Sequence, residues 1–153
     1  MKQKLKLALV GAGERGQYCY APYAKMHGYE IEFVAVADPH KGRREKFVQD
    51  YHVPAEGVFE TAEQFFARPR MADAVLICTQ DSQHYAYACQ AIDLGYSILL
   101  EKPISPSVRE CLDLQRRAEE KGTQIMVCHV MRYTKFYRKL KELIDSGVIG
   151  DVV

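Results

Sequence analysis

A chain of 153 residues has room for one domain, or for one domain and the start of another. Its composition, 48% hydrophobic and 27% charged with a net charge of +1, is typical of a globular protein and gives no reason to expect nucleic acid as a partner. No apolar run approaches the ~20 residues that cross a bilayer, and the first residues lack a signal-peptide core, so the sequence predicts a cytoplasmic protein that binds no membrane.

The five cysteines are odd in number, and no two of them form a Cys-x-x-Cys pair. A disulfide framework and a metal site are therefore not expected, and most of these cysteines should behave as small buried hydrophobic residues.

The first elements predicted are a strand over residues 4–10, a glycine-rich turn, a helix from about Glu14 to His27, and a strand over Ile31–Ala37. Gly11 allows a tight turn, Gly13 allows a phosphate to approach the backbone, and Gly16 allows the helix to pack close to the sheet. The free N–H groups of the helix start then bind the phosphates. This pattern predicts a dinucleotide site, and the alternative is a tight turn without a ligand.

Asp38, at the end of the second strand, is expected to accept hydrogen bonds from the adenosine ribose. The basic residues that follow it (His40, Lys41, Arg43 and Arg44) could instead accept a 2′-phosphate or simply line a solvated helix. Because the acid stands at the strand end, NAD is favoured, and NADP is the alternative.

The later elements alternate between helix and strand. They are a helix over Lys41 to Tyr51, a strand at 57–59, a helix opened by a Thr61-x-x-Gln64 capping box, a strand at 74–78, a helix over 84–94, a strand at 97–100, a helix opened by a Ser107-x-x-Glu110 capping box and ending at Lys121, and a strand at 124–128. The predicted fold is α/β: a doubly wound, mostly parallel sheet with helices on both faces, that is, a Rossmann fold.

Ligands of such sheets lie beyond the carboxyl ends of the strands, which places Thr79, Gln80, Asp81, Glu101 and Lys102 at the site. Lys102 is the strongest candidate to orient a substrate hydroxyl and transfer a proton, and its bond to proline is a candidate cis bond. Three side chains keep alternative interpretations. Asp81 is a ligand or a helix cap, and His84 is a ligand or a capping or packing residue. Arg132 is an anion clamp or the partner of Glu101.

A helix with an apolar stripe at Phe136, Leu140, Leu143 and Ile144 follows, and residues 150–153 are expected to begin another strand. We therefore divide the chain into a dinucleotide-binding domain over 1–130 and, over 131–153, a connecting helix and the start of a C-terminal α/β substrate domain. An exposed stripe would make a homo-oligomer a reasonable hypothesis.

The glycine motif, Ala37-Asp38-Pro39, the turn from Thr79 to His84, Glu101-Lys102-Pro103 and the run from His129 to Gly150 together resemble the Gfo/Idh/MocA oxidoreductases. The resemblance implies an NAD(P)-dependent dehydrogenase of a sugar, cyclitol or related polyol, with Lys102 near the reacting carbon and Glu101 beside the nicotinamide ribose. Two departures are Gln80, where the family often has proline, and the absence of the second domain that completes the substrate pocket. We therefore expect this chain by itself to bind NAD but to turn over little or nothing.

These inferences give one set of expected site residues. Lys102 is the expected catalytic residue, Arg132 is a candidate substrate contact, and no metal is expected. The expected cofactor contacts are Gly11, Gly13, Glu14, Arg15, Gly16, Asp38, Thr79, Gln80, Asp81, His84, Glu101 and Lys102. Two other functions are a non-catalytic NAD-binding sensor, against which Lys102 argues, and a methyltransferase, against which Gly16 and the Glu101-Lys102-Pro103 turn argue.

Overall fold

The computed structural model describes residues 3–151 and contains a six-stranded parallel sheet in the order β3-β2-β1-β4-β5-β6. The order reverses between β1 and β4, the point at which such sheets open a crevice for ligands. The strands are β1 (Leu5–Val10), β2 (Ile31–Ala37), β3 (Val58–Phe59), β4 (Ala74–Ile77), β5 (Ser97–Leu100) and β6 (Ile125–Val127).

Within the described residues, six α-helices connect or follow these strands. They are α1 (Pro22–Met26), α2 (Lys41–Tyr51), α3 (Ala62–Phe66), α4 (His84–Asp93), α5 (Val108–Lys121) and α6 (Lys135–Asp145). The alternation of strand and helix confirms the α/β prediction, and most predicted boundaries differ from the observed ones by no more than a residue or two.

Apolar residues cover both faces of the sheet. Along β1, Leu7 and Leu9 pack in one core cluster, whereas Ala8 and Val10 pack in the other, because successive side chains of a strand point to opposite faces. The first cluster includes Phe47 of α2, and the second includes the buried hydrophobic residues of α3 and α4. The sheet is therefore doubly wound, as predicted.

Helix α2 has the predicted bounds. The ring nitrogen Nδ1 of His40 accepts the Arg43 backbone N–H at 3.3 Å and caps the first turn, while His52 ends the helix in the left-handed conformation at φ 55°. Phe47 is fully buried and packs edge-on against Phe33, with ring centroids 5.0 Å apart.

The prediction of a single helix from Glu14 to His27 is wrong. Residues Glu14–Tyr20 form a π-helical segment, in which the Ala21 N–H donates to the Gly16 carbonyl at 3.0 Å, and α1 starts only at Pro22. Proline has no N–H to donate, and its ring clashes with the carbonyl four residues earlier, so one regular helix cannot run through it. Pro22 is the signal in the sequence that marks this break.

One of the two predicted capping boxes is partly formed, and the other is wrong. Thr61 does cap α3 by accepting the Gln64 N–H at 3.2 Å, although the Gln64 side chain accepts the N–H of Glu60 and not that of Thr61. The Ser107–Glu110 box is wrong, because Ser107 makes no side-chain capping bond. The Glu110 side chain is instead bound by Ser105, whose hydroxyl donates to Glu110 and accepts the Ser107 N–H.

Helix α6 forms as predicted, and its apolar stripe lies at the surface. Phe136 is 70% exposed, and Leu140, Leu143 and Ile144 are 38–39% exposed. The strand expected at residues 150–153 includes two residues outside the described range, and the division of the chain near residue 130 stays a prediction. Within residues 3–151, none of the helices combines the length and apolar composition that a membrane crossing requires.

Candidate functional site

The loops that carry the predicted site residues follow the carboxyl ends of β1, β2, β4, β5 and β6, so they lie along one edge of the parallel sheet. Among residues 3–151, no three His, Cys, Asp or Glu side chains are placed to hold a metal ion. The described cysteines are all free thiols, and burial raises the pKa of the Cys78 thiol well above its usual range.

The three glycines of the turn are required for different reasons. A Cβ at Gly11, which has φ +94°, would lie 2.4 Å from the Cys78 carbonyl oxygen, and a Cβ at Gly16 would lie 2.3 Å from the Gly11 oxygen. A Cβ at Gly13 would meet nothing nearer than the Arg43 guanidinium at 3.8 Å, and its backbone is extended. The protein's own packing therefore requires Gly11 and Gly16, whereas the open surface at Gly13 fits a ligand that approaches the backbone.

Asp38 is only 3% exposed, because its carboxylate closes the glycine turn. One carboxylate oxygen accepts the buried N–H of Ala12 at 2.7 Å, and the other accepts the N–H of His40 at 2.8 Å. No local sequence pattern predicts this contact with Ala12, which lies 26 residues away in the chain. Each oxygen keeps a second acceptor position, so the expected hydrogen bonds with a ribose stay a prediction.

Among the basic residues after Asp38, Arg44 has a structural role, whereas Arg43 is accessible to a ligand. Arg44 is buried and donates to the Asp38 carbonyl oxygen at 2.7 Å and to Glu60 at 3.3 Å, so it holds the end of β2 in place. Arg43 is exposed, and its guanidinium stands beside Gly13. A cation at this position can attract the phosphates of a dinucleotide.

The turn after β4 carries Thr79, Gln80 and Asp81. The Thr79 hydroxyl is buried and has no hydrogen-bond partner among residues 3–151, so a contact of this hydroxyl with a ligand stays a prediction. Gln80 caps the short 3₁₀ turn Asp81–Gln83 in a capping box with Gln83. The interpretation of Asp81 as a cap is therefore wrong; Asp81 is an exposed residue of that turn.

His84 is fully buried, which contradicts its expected role as a direct cofactor contact. Its Nδ1 lies 2.6 Å from the carbonyl oxygen of Pro103, and its Nε2 lies 3.3 Å from the carbonyl oxygen of Thr79. The ring thus connects the turn after β4 with the turn after β5. Packing, the second interpretation of this residue, is the one that the structure favours.

The Glu101-Lys102-Pro103 turn presents a buried carboxylate next to an exposed lysine. Glu101 is 5% exposed, one of its oxygens accepts the Lys102 N–H at 2.9 Å, and the other accepts the Tyr20 hydroxyl at 2.5 Å. The peptide bond between Lys102 and Pro103 is cis. Tyr20 was not singled out from the sequence, because 81 residues separate it from Glu101.

A cavity of about 400 Å³ opens beside this turn. Its wall includes Arg15, Glu101, Lys102 and Arg132. The ion-pair partner of Glu101 is Arg15, at 3.8 Å, and not Arg132 as one interpretation held. A larger hollow of about 840 Å³ along helix α6 shares Met131 and Arg132 with this wall, but the glycine turn, Glu101 and Lys102 do not line it.

Comparisons with known proteins agree with this arrangement. A sequence model of the GFO_IDH_MocA oxidoreductase family, described as an NAD-binding Rossmann fold, matches residues 5–129. The chain is 32% identical over 149 residues to inositol 2-dehydrogenase of Pseudomonas savastanoi pv. phaseolicola and 30% identical over 152 residues to scyllo-inositol 2-dehydrogenase (NAD(+)) of Bacillus subtilis. These alignments cover 96% and 98% of this chain but 43% of each relative.

A solved structure of a putative myo-inositol dehydrogenase from Sinorhizobium meliloti 1021 superposes with a TM-score of 0.78 at 25% identity, covering 97% of this chain and 43% of the other. The chain thus spans less than half the length of these relatives. The family match begins at β1 and ends just after β6, so it covers the whole sheet, and the chain belongs to the Gfo/Idh/MocA oxidoreductase family with its NAD-binding Rossmann fold.

Proposed function

We propose that this chain is the cofactor-binding part of a dehydrogenase that moves hydride between a nicotinamide cofactor and a carbon of a sugar, cyclitol or related polyol. The observation that carries the proposal is the convergence at one sheet edge of an open glycine turn and the exposed Lys102. The inositol substrates named for two relatives support the substrate class.

Each part of the edge has a defined task in this proposal. The backbone N–H groups of the glycine turn hold the pyrophosphate, Asp38 binds the adenosine ribose, and Glu101 binds the ribose next to the nicotinamide. The bound cofactor supplies a hydride acceptor or donor. Lys102 orients the substrate hydroxyl by a hydrogen bond and assists the transfer of the hydroxyl proton during the reaction.

The choice between the two cofactors follows from charge. The Asp38 carboxylate repels a 2′-phosphate, whereas the exposed Arg43 beside Gly13 attracts phosphate in either cofactor. We propose NAD as the preferred cofactor, with NADP binding more weakly.

Calorimetric titration of the 153-residue chain with oxidised and reduced NAD and NADP tests this proposal. We expect NAD to bind about tenfold or more tightly than NADP. No turnover of inositols or sugars is expected, because the cavity beside Lys102 is open to solvent and about 57% of each relative's length has no counterpart in this chain. Absence of binding at millimolar cofactor would contradict the proposal, and robust turnover would contradict the expected inactivity.

An Arg43→Gln variant sharpens this titration. Loss of the cation should lower the affinity for NADP more than the affinity for NAD, because NADP carries the additional phosphate charge. Lys41→Gln is the matched control, since Lys41 lies on the same helix and pairs with Glu45 at 3.8 Å. Equal weakening of both cofactors by Arg43→Gln would mean that Arg43 contacts the shared pyrophosphate.

Self-association is a further part of the proposal, because the stripe of α6 leaves Phe136, Leu140 and Ile144 exposed. We expect the mass measured by analytical ultracentrifugation to rise with concentration above the 17.5 kDa of one chain. A constant monomeric mass at high concentration would contradict it.

A further inference from the structure

Tyr20 is the last residue of the π-helical segment, and this position brings its hydroxyl to the end of β5. The segment is held by the bond from the Ala21 N–H to the Gly16 oxygen, which spans five residues and not the usual four. Because a π-helical segment turns less per residue than the 100° of a regular α-helix, an α-helix over Glu14–Tyr20 would direct side chain 20 differently. The break in the first helix therefore sets the direction of Tyr20.

The Tyr20 hydroxyl donates to the same Glu101 oxygen that Arg15 approaches at 3.8 Å. Arg15 is half exposed, with 52% of its side-chain surface accessible, so solvent weakens its hold on the carboxylate. Tyr20 is partly buried and packs against the core cluster of Leu7 and Phe33. Of these two side chains, the tyrosine is the more rigid anchor for Glu101.

The Tyr20 hydroxyl remains a donor throughout the ordinary pH range. Burial raises the pKa of Tyr20 most, and the neighbouring Cys128 thiol and Glu101 carboxylate raise that pKa further. The proton therefore stays on the phenol, and the carboxylate accepts the bond.

We propose that Tyr20 is a positioning residue that fixes the Glu101 carboxylate for binding the nicotinamide half of the cofactor. The proposal rests on the proposed function, because it assumes that Glu101 contacts the ribose on the nicotinamide side. Two donors, the Tyr20 hydroxyl and the Lys102 N–H, hold one carboxylate oxygen each. Without the tyrosine hydroxyl, the carboxylate can rotate towards Arg15 and solvent, and its orientation for the ribose is lost.

The test compares two ligands that share the adenosine and diphosphate but differ at the other end. The 153-residue chain and its Tyr20→Phe variant are titrated by calorimetry with NADH and with ADP. We expect Tyr20→Phe to lower the affinity for NADH about tenfold, which is in the range expected for the loss of a hydrogen bond to a charged group. The affinity for ADP should change less than twofold. The variant keeps the ring, so the thermal unfolding midpoint should change little.

Tyr23→Phe is the matched control, since Tyr23 also donates to a glutamate, Glu30 at 3.2 Å, on the same stretch of chain. It should leave both affinities unchanged. In a second measurement, Tyr20→Phe is combined with Glu101→Gln. The fold loss of NADH affinity that Tyr20→Phe causes in this background should be less than half of the loss that it causes in the unmodified chain, because the two residues act as a pair.

Any other result contradicts the inference, and the kind of result shows which step of it fails. Equal weakening of NADH and ADP would mean that Tyr20 supports the glycine turn as a whole. Unchanged NADH affinity, or the same tenfold loss with Glu101→Gln present, would remove the link to Glu101 while leaving the proposed function intact. If the unmodified chain binds neither ligand, the proposed function fails, and this inference fails with it.

Discussion

Replacing Gly13 with valine should abolish detectable NAD binding while leaving the free energy of unfolding nearly unchanged. The backbone at Gly13 is extended, and an added Cβ would meet no protein atom closer than 3.8 Å, so the free chain accepts a side chain there. A bound pyrophosphate would have to occupy that same space. We expect an affinity loss of at least a hundredfold by calorimetry, with the urea midpoint unchanged.

Gly11→Val is the control that separates this effect from misfolding. Its Cβ would lie 2.4 Å from the Cys78 carbonyl oxygen, and the φ of +94° strains any side chain, so this variant should lose stability as well as binding. If Gly13→Val binds NAD within threefold of the unmodified chain, the phosphate does not approach this position and the site assignment is wrong.

Replacing Asp38 with alanine should weaken both NAD binding and the fold. The Ala12 N–H is buried and would lose its acceptor, whereas the His40 N–H is near the surface and can bind water. We expect a stability loss of about 2 kcal/mol, the usual cost of an unsatisfied buried donor. NAD affinity should fall at least tenfold more than this destabilisation explains, because the ribose loses its carboxylate partner.

Asp73→Ala provides the matched control for this second prediction. Asp73 accepts the Lys6 N–H at 2.8 Å, beside the amino end of the same strand β1, far from the candidate site. It should cost less stability, because the bond is exposed, and should leave NAD affinity unchanged. Asp38→Ala with NAD affinity within threefold of the unmodified chain, measured where both proteins are folded, would show that the carboxylate only braces the glycine turn.

The sequence by itself determined the features that depend on neighbouring residues. Runs of apolar residues predicted the buried strands, and the Gly11-x-Gly13-x-x-Gly16 pattern between strand and helix predicted the site. The bounds of α2 followed from Pro39, which ends the strand before it, and from the charged residues along it. Each of these signals lies within a few residues of the structure that it specifies, so one sequence is sufficient to read it.

Only the tertiary structure decided which partners distant residues find. Asp38 reaches Ala12 across 26 residues, and Tyr20 reaches Glu101 across 81, while His84 is buried between two turns that no local pattern connects. Such contacts depend on which strands lie side by side, and that order is fixed by packing over the whole sheet. The residues at the edge could therefore be named from the sequence, but which of them faces a ligand and which holds a neighbour in place was decided by the fold.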